Sequence, residues 1–381
     1  MSLPAPTPAA LTISTQLTQH IASEIAEHGW ISFARYMELA LYAPGLGYYS
    51  AGAAKFGAAG DFVTAPEISP LFGRSLAQQI AQVLKMTGGD VLEVGAGSGR
   101  LACDVMAELA RLDSMPQRYC ILEVSADLRE RQQRLLATEL PEWAARVVWL
   151  DRLPNAFNGC IIGNEVLDAM PVHVLHWHDG GIAERGVVRE GERFGWGDRV
   201  LPAGRLREQA EALQVPGEYI SEVGLAAQGF ISSLGQCLTA GAIVMIDYGF
   251  GESEYYHPQR DQGTIMCHYR QHAHDDPFHF PGLQDITAHV DFTAMAVAGI
   301  DAGLSLAGYT SQAQFLINCG ITDLLAQTPA TDVAAYIPQV TAVQKLMSPA
   351  EMGELFKVMA WTRGLDIPLL GFAQGDQRRR L

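Results

Sequence analysis

Short, continuously apolar segments alternate with amphipathic segments along the chain after residue 90. The apolar segments include DVLEV at 90–94, QRYCILEVS at 117–125 and GCIIGNEVLD at 159–168, and the amphipathic segment RLACDVMAELARL at 100–112 lies between the first two. Continuously apolar strands are typical of a parallel sheet that is covered on both faces. The pattern therefore predicts a doubly wound α/β fold.

Two other patterns flank or interrupt this alternation. Residues 11–41 repeat apolar positions at helical spacing and predict two helices that are separated near Gly29. A further helix is predicted after Ser69, which serves as its N-cap. Residues 171–200 alternate with a period of two between glycine-containing turns, and this predicts antiparallel strands.

These elements suggest a division into two regions. We expect an N-terminal helical region with a cofactor lid at 1–85, followed by a core at 86–381. The core is expected to contain an insertion at about 171–240 and a substrate-side loop at about 263–291. The Pro/Ala-rich segment MSLPAPTPAA at the start and the segment GDQRRRL at the end are expected to be loose.

Composition and charge limit the classes of function. A formal net charge of −16 repels phosphate backbones and argues against general nucleic-acid binding. No apolar run is long enough to span a membrane, and the N-terminus lacks the pattern of a secretory signal. The six cysteines are scattered and include no C-x-x-C pair, which indicates reduced thiols in a cytoplasmic protein. The oligomeric state stays open, with a homodimer as one alternative.

The segment DVLEVGAGSGRL places three glycines after the first predicted strand of the sheet: Gly95, Gly97 and Gly99. Glycines permit a tight turn and let a ligand approach the backbone closely. Their spacing differs from the G-x-G-x-x-G of nicotinamide enzymes, in which a diphosphate lies on the helix N-terminus. S-adenosylmethionine carries no phosphate, and it offers a carboxylate, an ammonium and a ribose diol.

Acidic residues lie at the ends of three successive predicted strands, of which the third is RVVWLD at 146–151. Glu93 precedes the glycines and can serve the ammonium side of the cofactor. Glu123 can accept both ribose hydroxyls, and Asp151 lies where an adenine amino group is expected. Ordinary turn glycines and strand-end acids are one alternative, and an NAD-dependent oxidoreductase is another. The spacing together with the acids favours S-adenosylmethionine.

The segment GNEVLDAMPV at 163–172 is the strongest candidate for chemistry. It follows the fourth predicted strand at the carboxyl edge, where doubly wound sheets hold ligands, and it contains Asn164, Glu165 and Asp168. Carboxylates can hold a planar guanidinium bidentately, and methyl transfer by direct displacement then needs mainly alignment. The alternative is that Glu165 only caps the next turn.

Histidines and aspartates are concentrated between residues 266 and 295, which raises the question of a metal site. The segment around His272 and His274 is expected to be irregular, no cysteine pair accompanies it, and methyl transfer needs no metal. We therefore expect no metal. Asp285 and His289 are assigned instead to the acceptor side of the site or to its support.

Four longer segments resemble the MidA-like S-adenosylmethionine-dependent methyltransferases, a family related to the mitochondrial complex I assembly-factor arginine methyltransferase. They are GAAGDFVTAPEISPLFG, LEVGAGSGRL, GNEVLDAMPV and QDITAHVDFTA. The resemblance implies a class I methyltransferase (Rossmann-like) fold, bound S-adenosyl-L-methionine and methyl transfer. A protein arginine is the best-known acceptor in the mitochondrial relative.

The resemblance also implies roles for individual residues. Gly60, Thr64 and Glu67 would line a lid over the cofactor, and Glu165 would act on the acceptor. The chain departs from two related patterns, because it has neither the N/D-P-P-Y motif of amino-group methyltransferases nor the longer-spaced glutamate pair of the main arginine methyltransferases. A non-catalytic assembly protein that retains the fold is a further alternative, although the glycines and strand-end glutamates are all present.

Overall fold

The structure is a computed structural model that describes residues 3–50 and 63–381. Its first helices and strands are α1 (Pro8–His28), β1 (Ile31–Ser32), α2 (Phe33–Tyr42), α3 (Ala65–Ile68), α4 (Pro70–Thr87), β2 (Asp90–Val94), α5 (Arg100–Arg111), β3 (Tyr119–Leu122), α6 (Ala126–Glu139), β4 (Val147–Leu150) and β5 (Phe157–Asn164).

The chain continues with β6 (His173–His178), β7 (Gly181–Glu190), β8 (Arg193–Val200), α7 (Arg205–Ala212), β9 (Tyr219–Val223), α8 (Leu225–Cys237), β10 (Leu238–Phe250), α9 (Glu252–Tyr255), β11 (Met266–Tyr269), β12 (His272–His274), β13 (Asp285–Thr287), β14 (Val290–Asp291), α10 (Phe292–Asp301), β15 (Ser305–Ser311), α11 (Gln312–Asn318), α12 (Ile321–Ala326), α13 (Val333–Met347) and β16 (Phe356–Arg363).

The chain forms two compact units. The core unit comprises Val63–Val166, Phe230–Phe250 and Phe292–Leu381. The insert unit comprises residues 3–50 together with Leu167–Gly229 and Gly251–Asp291.

The core unit is built on a twisted sheet in which seven strands run in the order β4-β3-β2-β5-β10-β16-β15. The pairs from β4 to β10 are parallel, and β16 is antiparallel to both of its neighbours. The strand order reverses between β2 and β5, and ligands bind at such a switch point in open α/β sheets. The predicted doubly wound fold is confirmed.

Helices α4 and α5 pack against each other on this sheet. Ser69 is the N-cap of α4, as predicted, and its hydroxyl accepts a hydrogen bond of 3.2 Å from the Leu71 N–H. A Cβ atom at Gly73 would lie 2.7 Å from the Cβ of Asp104, so a glycine is needed for this close approach. The helices thereby bury one face of the sheet and bring the N-terminus of α5 to its carboxyl edge.

The insert unit contains an antiparallel sheet in which β1, β7, β6 and β9 are neighbours and β8 pairs with β7. The antiparallel strands predicted for 171–200 are therefore confirmed. The two predicted N-terminal helices are also present, and α1 ends at Gly29, whose φ is 70°. The segment around His272 and His274 was expected to be irregular, but β12 pairs there with β11.

Both terminal segments are more ordered than the sequence suggests. Helix α1 begins at Pro8, within the Pro/Ala-rich start, because the Thr7 hydroxyl caps it by accepting from the Ala10 N–H at 3.3 Å. Near the other end, the Gln377 N–H donates to the Tyr309 carbonyl of β15 at 2.6 Å. The expectation of loose segments was therefore wrong for Pro8–Ala10 and for Gln377, since capping and backbone pairing are not visible in composition.

All six cysteines are buried with free thiols. Burial raises the pKa of the Cys160 thiol to about 12, so this thiol stays protonated and unreactive at neutral pH. Among the helices in the described part of the chain, none is both long and apolar enough to cross a bilayer.

Candidate functional site

The glycine loop lies between β2 and α5, at the switch point of the core-unit sheet. Gly95, Gly97 and Gly99 have φ angles of 66°, 52° and 87°, a backbone region that strains any residue with a Cβ atom. A Cβ at Gly95 would lie 3.0 Å from Val166, and one at Gly99 would lie 3.2 Å from the side chain of Gln132. The loop is therefore a tight cradle that side chains would fill.

Glu93 is buried in β2, directly before this loop, with 2% of its surface exposed. Burial raises its pKa to about 7, and the charge of Glu123 adds to the increase. The Tyr119 hydroxyl donates to the carboxylate at 2.7 Å and opposes the shift. Glu93 therefore changes its charge close to neutral pH.

Glu123 follows β3 directly and is also buried. Its Oε1 accepts from the Ser125 N–H at 2.9 Å, and its Oε2 accepts from the Gln132 side-chain amide at 3.0 Å. Burial raises the pKa of Glu123, and these two hydrogen bonds oppose the increase. Each carboxylate oxygen is thus fixed by a donor, and the Val124 N–H adds a further hydrogen bond to the carboxylate. The four lone-pair positions of a carboxylate leave capacity to accept from a ligand.

The predicted lid residues meet the glycine loop through Glu67. The Ser98 hydroxyl of the loop donates to the Glu67 carboxylate. Thr64 is the N-cap of the short helix α3, and its carbonyl accepts from the Glu67 N–H at 3.0 Å. Gly60, the third predicted lid residue, lies outside the described residues.

Asp151 follows β4 and is strongly exposed, with 86% of its side-chain surface accessible. Its carboxylate pairs with Arg129 at 2.8 Å, and the same guanidinium donates to the Glu123 carbonyl at 2.9 Å. The structure therefore brings Asp151 to the same edge of the sheet as Glu123. Its predicted role near an adenine amino group stays a prediction.

Asn164 ends β5, and Glu165 follows it with a φ of 51°. The Glu165 N–H donates to the Ile246 carbonyl at 2.9 Å, and the Val166 N–H donates to the Asp247 carboxylate at 3.1 Å. The Asn164 side-chain amide donates to Glu165 Oε1 at 3.0 Å. The turn is thereby held from the neighbouring strand β10, and its glutamate is oriented by the residue before it.

Asp168 and Asp285 lie in the insert unit, and both are buried. The Tyr49 hydroxyl donates to Asp285 at 2.9 Å. The pKa of Tyr49 lies well above its ordinary value, mainly through burial, with contributions from the negative charges of Asp285 and Asp168. The structure therefore places the two aspartates around one tyrosine.

His289 lies near the same end of the insert unit, since the Ala288 N–H donates to the Asp168 carbonyl at 3.0 Å. Burial lowers the pKa of His289 to about 4, and the nearby Arg260 charge lowers it further, so the ring is neutral at physiological pH. No cluster of three or more metal-ligating side chains occurs within residues 3–50 and 63–381.

Two buried residues of the core-unit site were missed by the sequence analysis. Gln132 interrupts a buried stripe of α6 that otherwise consists of Leu128 and Leu136. Asp247 is fully buried near the carboxyl end of β10, within the apolar run GAIVMIDYG. In both cases the available signal was a polar residue at a position where the pattern calls for an apolar one.

The combined charge of the loop region favours some ligands over others. Glu93 within β2 and Glu123 directly after the neighbouring parallel strand β3 place two buried carboxyl groups beside the glycine loop. A diphosphate would be repelled by such groups, whereas an ammonium and a ribose diol can donate hydrogen bonds to them. The donor and acceptor chemistry therefore fits S-adenosylmethionine.

Replacing Glu93 with Gln should make stability less dependent on pH. The pKa of Glu93 is about 7 in the fold against an ordinary value of 4.5, so the native state binds more protons than the unfolded state between these values. The stabilising contribution of the Glu93 carboxyl is present at low pH and is lost as the pH rises through about 7. The substituted glutamine would still accept from Tyr119 but does not ionise.

Urea unfolding without ligand at about pH 5 and about pH 8 measures this effect. We expect the free energy of unfolding of Glu93→Gln, relative to the wild type, to rise by about 1–3 kcal/mol between the two conditions. The exposed Glu351→Gln should show no such change. If the free energies of unfolding of Glu93→Gln and the wild type differ by the same amount at both pH values, Glu93 titrates at its ordinary pKa.

Comparison with known proteins identifies the family and the cofactor. A family model described as S-adenosyl-L-methionine-dependent methyltransferase matches residues 73–310. The mitochondrial protein arginine methyltransferase NDUFAF7 of Danio rerio is 27% identical, over 91% of this chain and 86% of the relative. The protein of the same name from Bos taurus is 28% identical, over 93% of this chain and 85% of the relative.

A crystal structure of a Burkholderia thailandensis protein bound to S-adenosyl-homocysteine matches with a TM-score of 0.97 and 49% identity, over the full length of both chains. A native structure from the same organism matches with a TM-score of 0.94, also at 49% identity. These matches confirm the class I methyltransferase fold and S-adenosyl-L-methionine as the cofactor, and they set aside the NAD-dependent alternative. The chain therefore belongs to the family of S-adenosyl-L-methionine-dependent methyltransferases.

Proposed function

We propose that this methyltransferase modifies a protein side chain, with the guanidinium of an arginine as the favoured acceptor. The acceptor is supported by the relatives that are named protein arginine methyltransferases. It is supported independently by the turn at Glu165, which presents an oriented carboxylate at the carboxyl edge of the sheet. The geometry of this turn is the observation that carries the proposal.

The backbone of Glu165 is strained. A residue other than glycine with a φ of 51° is held in a sparsely populated conformation, which costs on the order of 1–3 kcal/mol. The two backbone N–H bonds to Ile246 and Asp247 hold it there. Because strained residues cluster at active sites, a carboxylate on a strained turn at the switch point of the sheet supports a functional role over simple capping.

Glu165 suits a guanidinium for geometric reasons. A planar guanidinium donates two parallel N–H bonds to a carboxylate, which fixes its plane as well as its position. The Asn164 amide limits rotation of the Glu165 carboxylate by donating to Oε1 at 3.0 Å. An arginine held in this way presents one nitrogen in a defined direction, and alignment of this kind is the main requirement of a direct displacement.

The bound cofactor supplies an electrophilic methyl group on a positively charged sulfur. The guanidinium nitrogen forms the new N–C bond with its electron pair while the bond from the methyl carbon to sulfur breaks, and the pair of that bond stays on sulfur, which leaves as a neutral thioether. The nitrogen releases one proton to water, so the methylated side chain keeps a single positive charge. In the proposal, Glu165 holds the cation before transfer and balances its charge afterwards. Asn164 positions Glu165, and Asp168, Asp285 and His289 serve the acceptor side of the site.

The proposal also assigns the cofactor-binding residues. Gly95, Gly97 and Gly99 form the backbone cradle, Glu93 serves the ammonium side, and Glu123 accepts the ribose hydroxyls. Asp151 serves the adenine, and Thr64 and Glu67 cover the cofactor. The support for these assignments is the shared edge of the sheet and the fixed carboxylate oxygens of Glu123.

A cytoplasmic location is also proposed, because the scattered, buried thiols suit a reducing compartment. Cell fractionation tests this proposal, and the relatives named above carry the word mitochondrial in their names.

Gly97→Val should abolish cofactor binding. The change introduces a β-branched side chain into the cradle at a position where φ is 52°. Gly88→Val is the matched control, because Gly88 has a φ of 60° and a Cβ there meets nothing within 4 Å. Calorimetric titration with S-adenosylhomocysteine should show binding for the control only. Normal binding by Gly97→Val would show that the loop has been misassigned.

Glu123→Ala should weaken the affinity for S-adenosylhomocysteine. The loss removes the acceptor proposed for the ribose hydroxyls, and hydrogen bonds to a charged group contribute about 1–3 kcal/mol. Calorimetric dissociation constants measure the effect, with the exposed Glu142→Gln as the control. An unchanged dissociation constant for Glu123→Ala would rule out the ribose role.

Glu165→Gln should leave cofactor affinity nearly unchanged and lower methyl transfer by about two orders of magnitude or more. Glutamine keeps the size of the side chain and one acceptor oxygen, but it removes the charge that holds the cation. Mass spectrometry of methylated peptides measures transfer in cells whose own copy is replaced by the variant. Glu142→Gln controls for the loss of one negative charge.

Several outcomes would contradict this assignment. Unchanged methylated peptides with a lowered melting temperature would show that Glu165 only caps the turn. Methyl marks on residues other than arginine would reject the acceptor and keep the methyltransferase. Cofactor binding without any methylated peptide in wild-type cells would favour a non-catalytic assembly role.

A further inference from the structure

Gln132 is a fully buried amide in the middle of α6. It lies on the buried stripe of this helix, with Leu128 one turn before it and Leu136 one turn after it. The neighbouring Gln133 is exposed. A buried amide is unfavourable unless its hydrogen bonds are satisfied, so the contacts of Gln132 explain why an amide is tolerated on this stripe.

The side chain of Gln132 joins three separate segments of the core unit. Its Nε2 donates to the carbonyl oxygen of Gly97 at 2.9 Å and to Oε2 of Glu123 at 3.0 Å. Its Oε1 accepts from the indole Nε1 of Trp149 at 2.9 Å. Both amide hydrogens are therefore used, one on the glycine loop and the other on the strand-end carboxylate.

Trp149 determines which way the amide faces. An indole N–H can only donate, so the oxygen of Gln132 has to point toward it and the NH₂ group has to point toward Gly97 and Glu123. A rotated amide would place its oxygen against two acceptors and would lose all three hydrogen bonds. Trp149 on β4 thereby keeps the NH₂ group of Gln132 directed toward Gly97 and Glu123.

One amide group thus fixes the distance between the glycine loop and Glu123. The Ser125 N–H holds Oε1 of the carboxylate, and Gln132 holds Oε2. Two vicinal hydroxyls can be recognised together only if both carboxylate oxygens keep a fixed orientation relative to the backbone on which the ligand lies. In this site, the Gln132 side chain fixes the orientation of Glu123 relative to the glycine loop, because it donates a hydrogen bond to each of them.

We propose that Gln132, oriented by Trp149, is a positioning residue that aligns Glu123 with the glycine loop for recognition of the ribose diol of the cofactor. This inference rests on the proposed ribose role of Glu123. A purely structural role for Gln132 would change the stability of the fold without changing which ribose is preferred.

Calorimetric titration with two probes distinguishes these roles. The probes are S-adenosylhomocysteine and its 2′-deoxy analogue, and the measured quantity is the ratio of their dissociation constants. We expect the wild type to prefer the diol by about 10- to 100-fold, the range for a hydrogen bond to a charged acceptor. Gln132→Met should bind S-adenosylhomocysteine about tenfold more weakly, with the preference reduced to about threefold or less.

Two further variants complete the test. Gln133→Met makes the same change on the exposed side of the helix, so it should behave as the wild type. Trp149→Phe removes the indole donor but leaves the amide, and the released amide should reduce the preference to a value between those of the wild type and Gln132→Met. Trp149→Phe also keeps the proposal testable if Gln132→Met does not fold, as judged by circular dichroism.

Glu123→Ala separates this inference from the assignment on which it rests. If Glu123→Ala keeps the preference for the diol, Glu123 does not bind the ribose and the coupling through Gln132 is overturned with it. If Glu123→Ala loses the preference while Gln132→Met and Trp149→Phe keep it, Glu123 binds the ribose and only the role of Gln132 is overturned. If Gln132→Met and Trp149→Phe lower the melting temperature but leave the ratio of dissociation constants unchanged, the role of Gln132 is likewise overturned.

Discussion

The parallel register of β2 with β3 and β5 is the constraint on which the site depends. Val94 pairs with Leu122 on one side and with Gly163 on the other, so three strands end at the same edge of the sheet. The chain turns away in opposite directions from β2, which opens the edge at this point. The glycine loop, Glu123 and Asn164 lie together because of this register, although up to about 70 residues separate them in sequence.

Burial of carboxyl groups is the second feature of the site. Glu93, Glu123 and Asp247 are all buried, and their desolvation is offset by donors on neighbouring segments. The hydrogen bonds from these donors fix the orientation of each carboxyl group and offset the free-energy cost of burying it. Carboxyl groups that are fixed in this way need little reorganisation to accept a hydrogen bond from a ligand, and such preorganisation favours catalysis in general.

Much of this arrangement was predictable from local pattern. The continuously apolar strands indicated the parallel sheet, the glycine spacing indicated the cofactor, and Ser69 and Gly29 marked helix ends that the structure contains. The Thr7 cap and the hairpin of β12 with β11 are local features that composition did not reveal. The pairing of Gln377 with Tyr309 was not predictable, because it depends on a segment that is distant in the chain. Gln132 was missed for the same reason, since its partners Gly97 and Trp149 lie outside its own helix.

The sequence by itself determined the fold class, the position of the glycine loop and the acids that follow the strands, because hydrophobic period and glycine placement are local properties. Only the tertiary structure decided which of these acids are buried, which donors hold them, and that Glu165 has a strained backbone. The physical reason is that burial, hydrogen-bond partners and strain arise from contacts between segments distant in the chain, and a linear pattern carries no information on their distances.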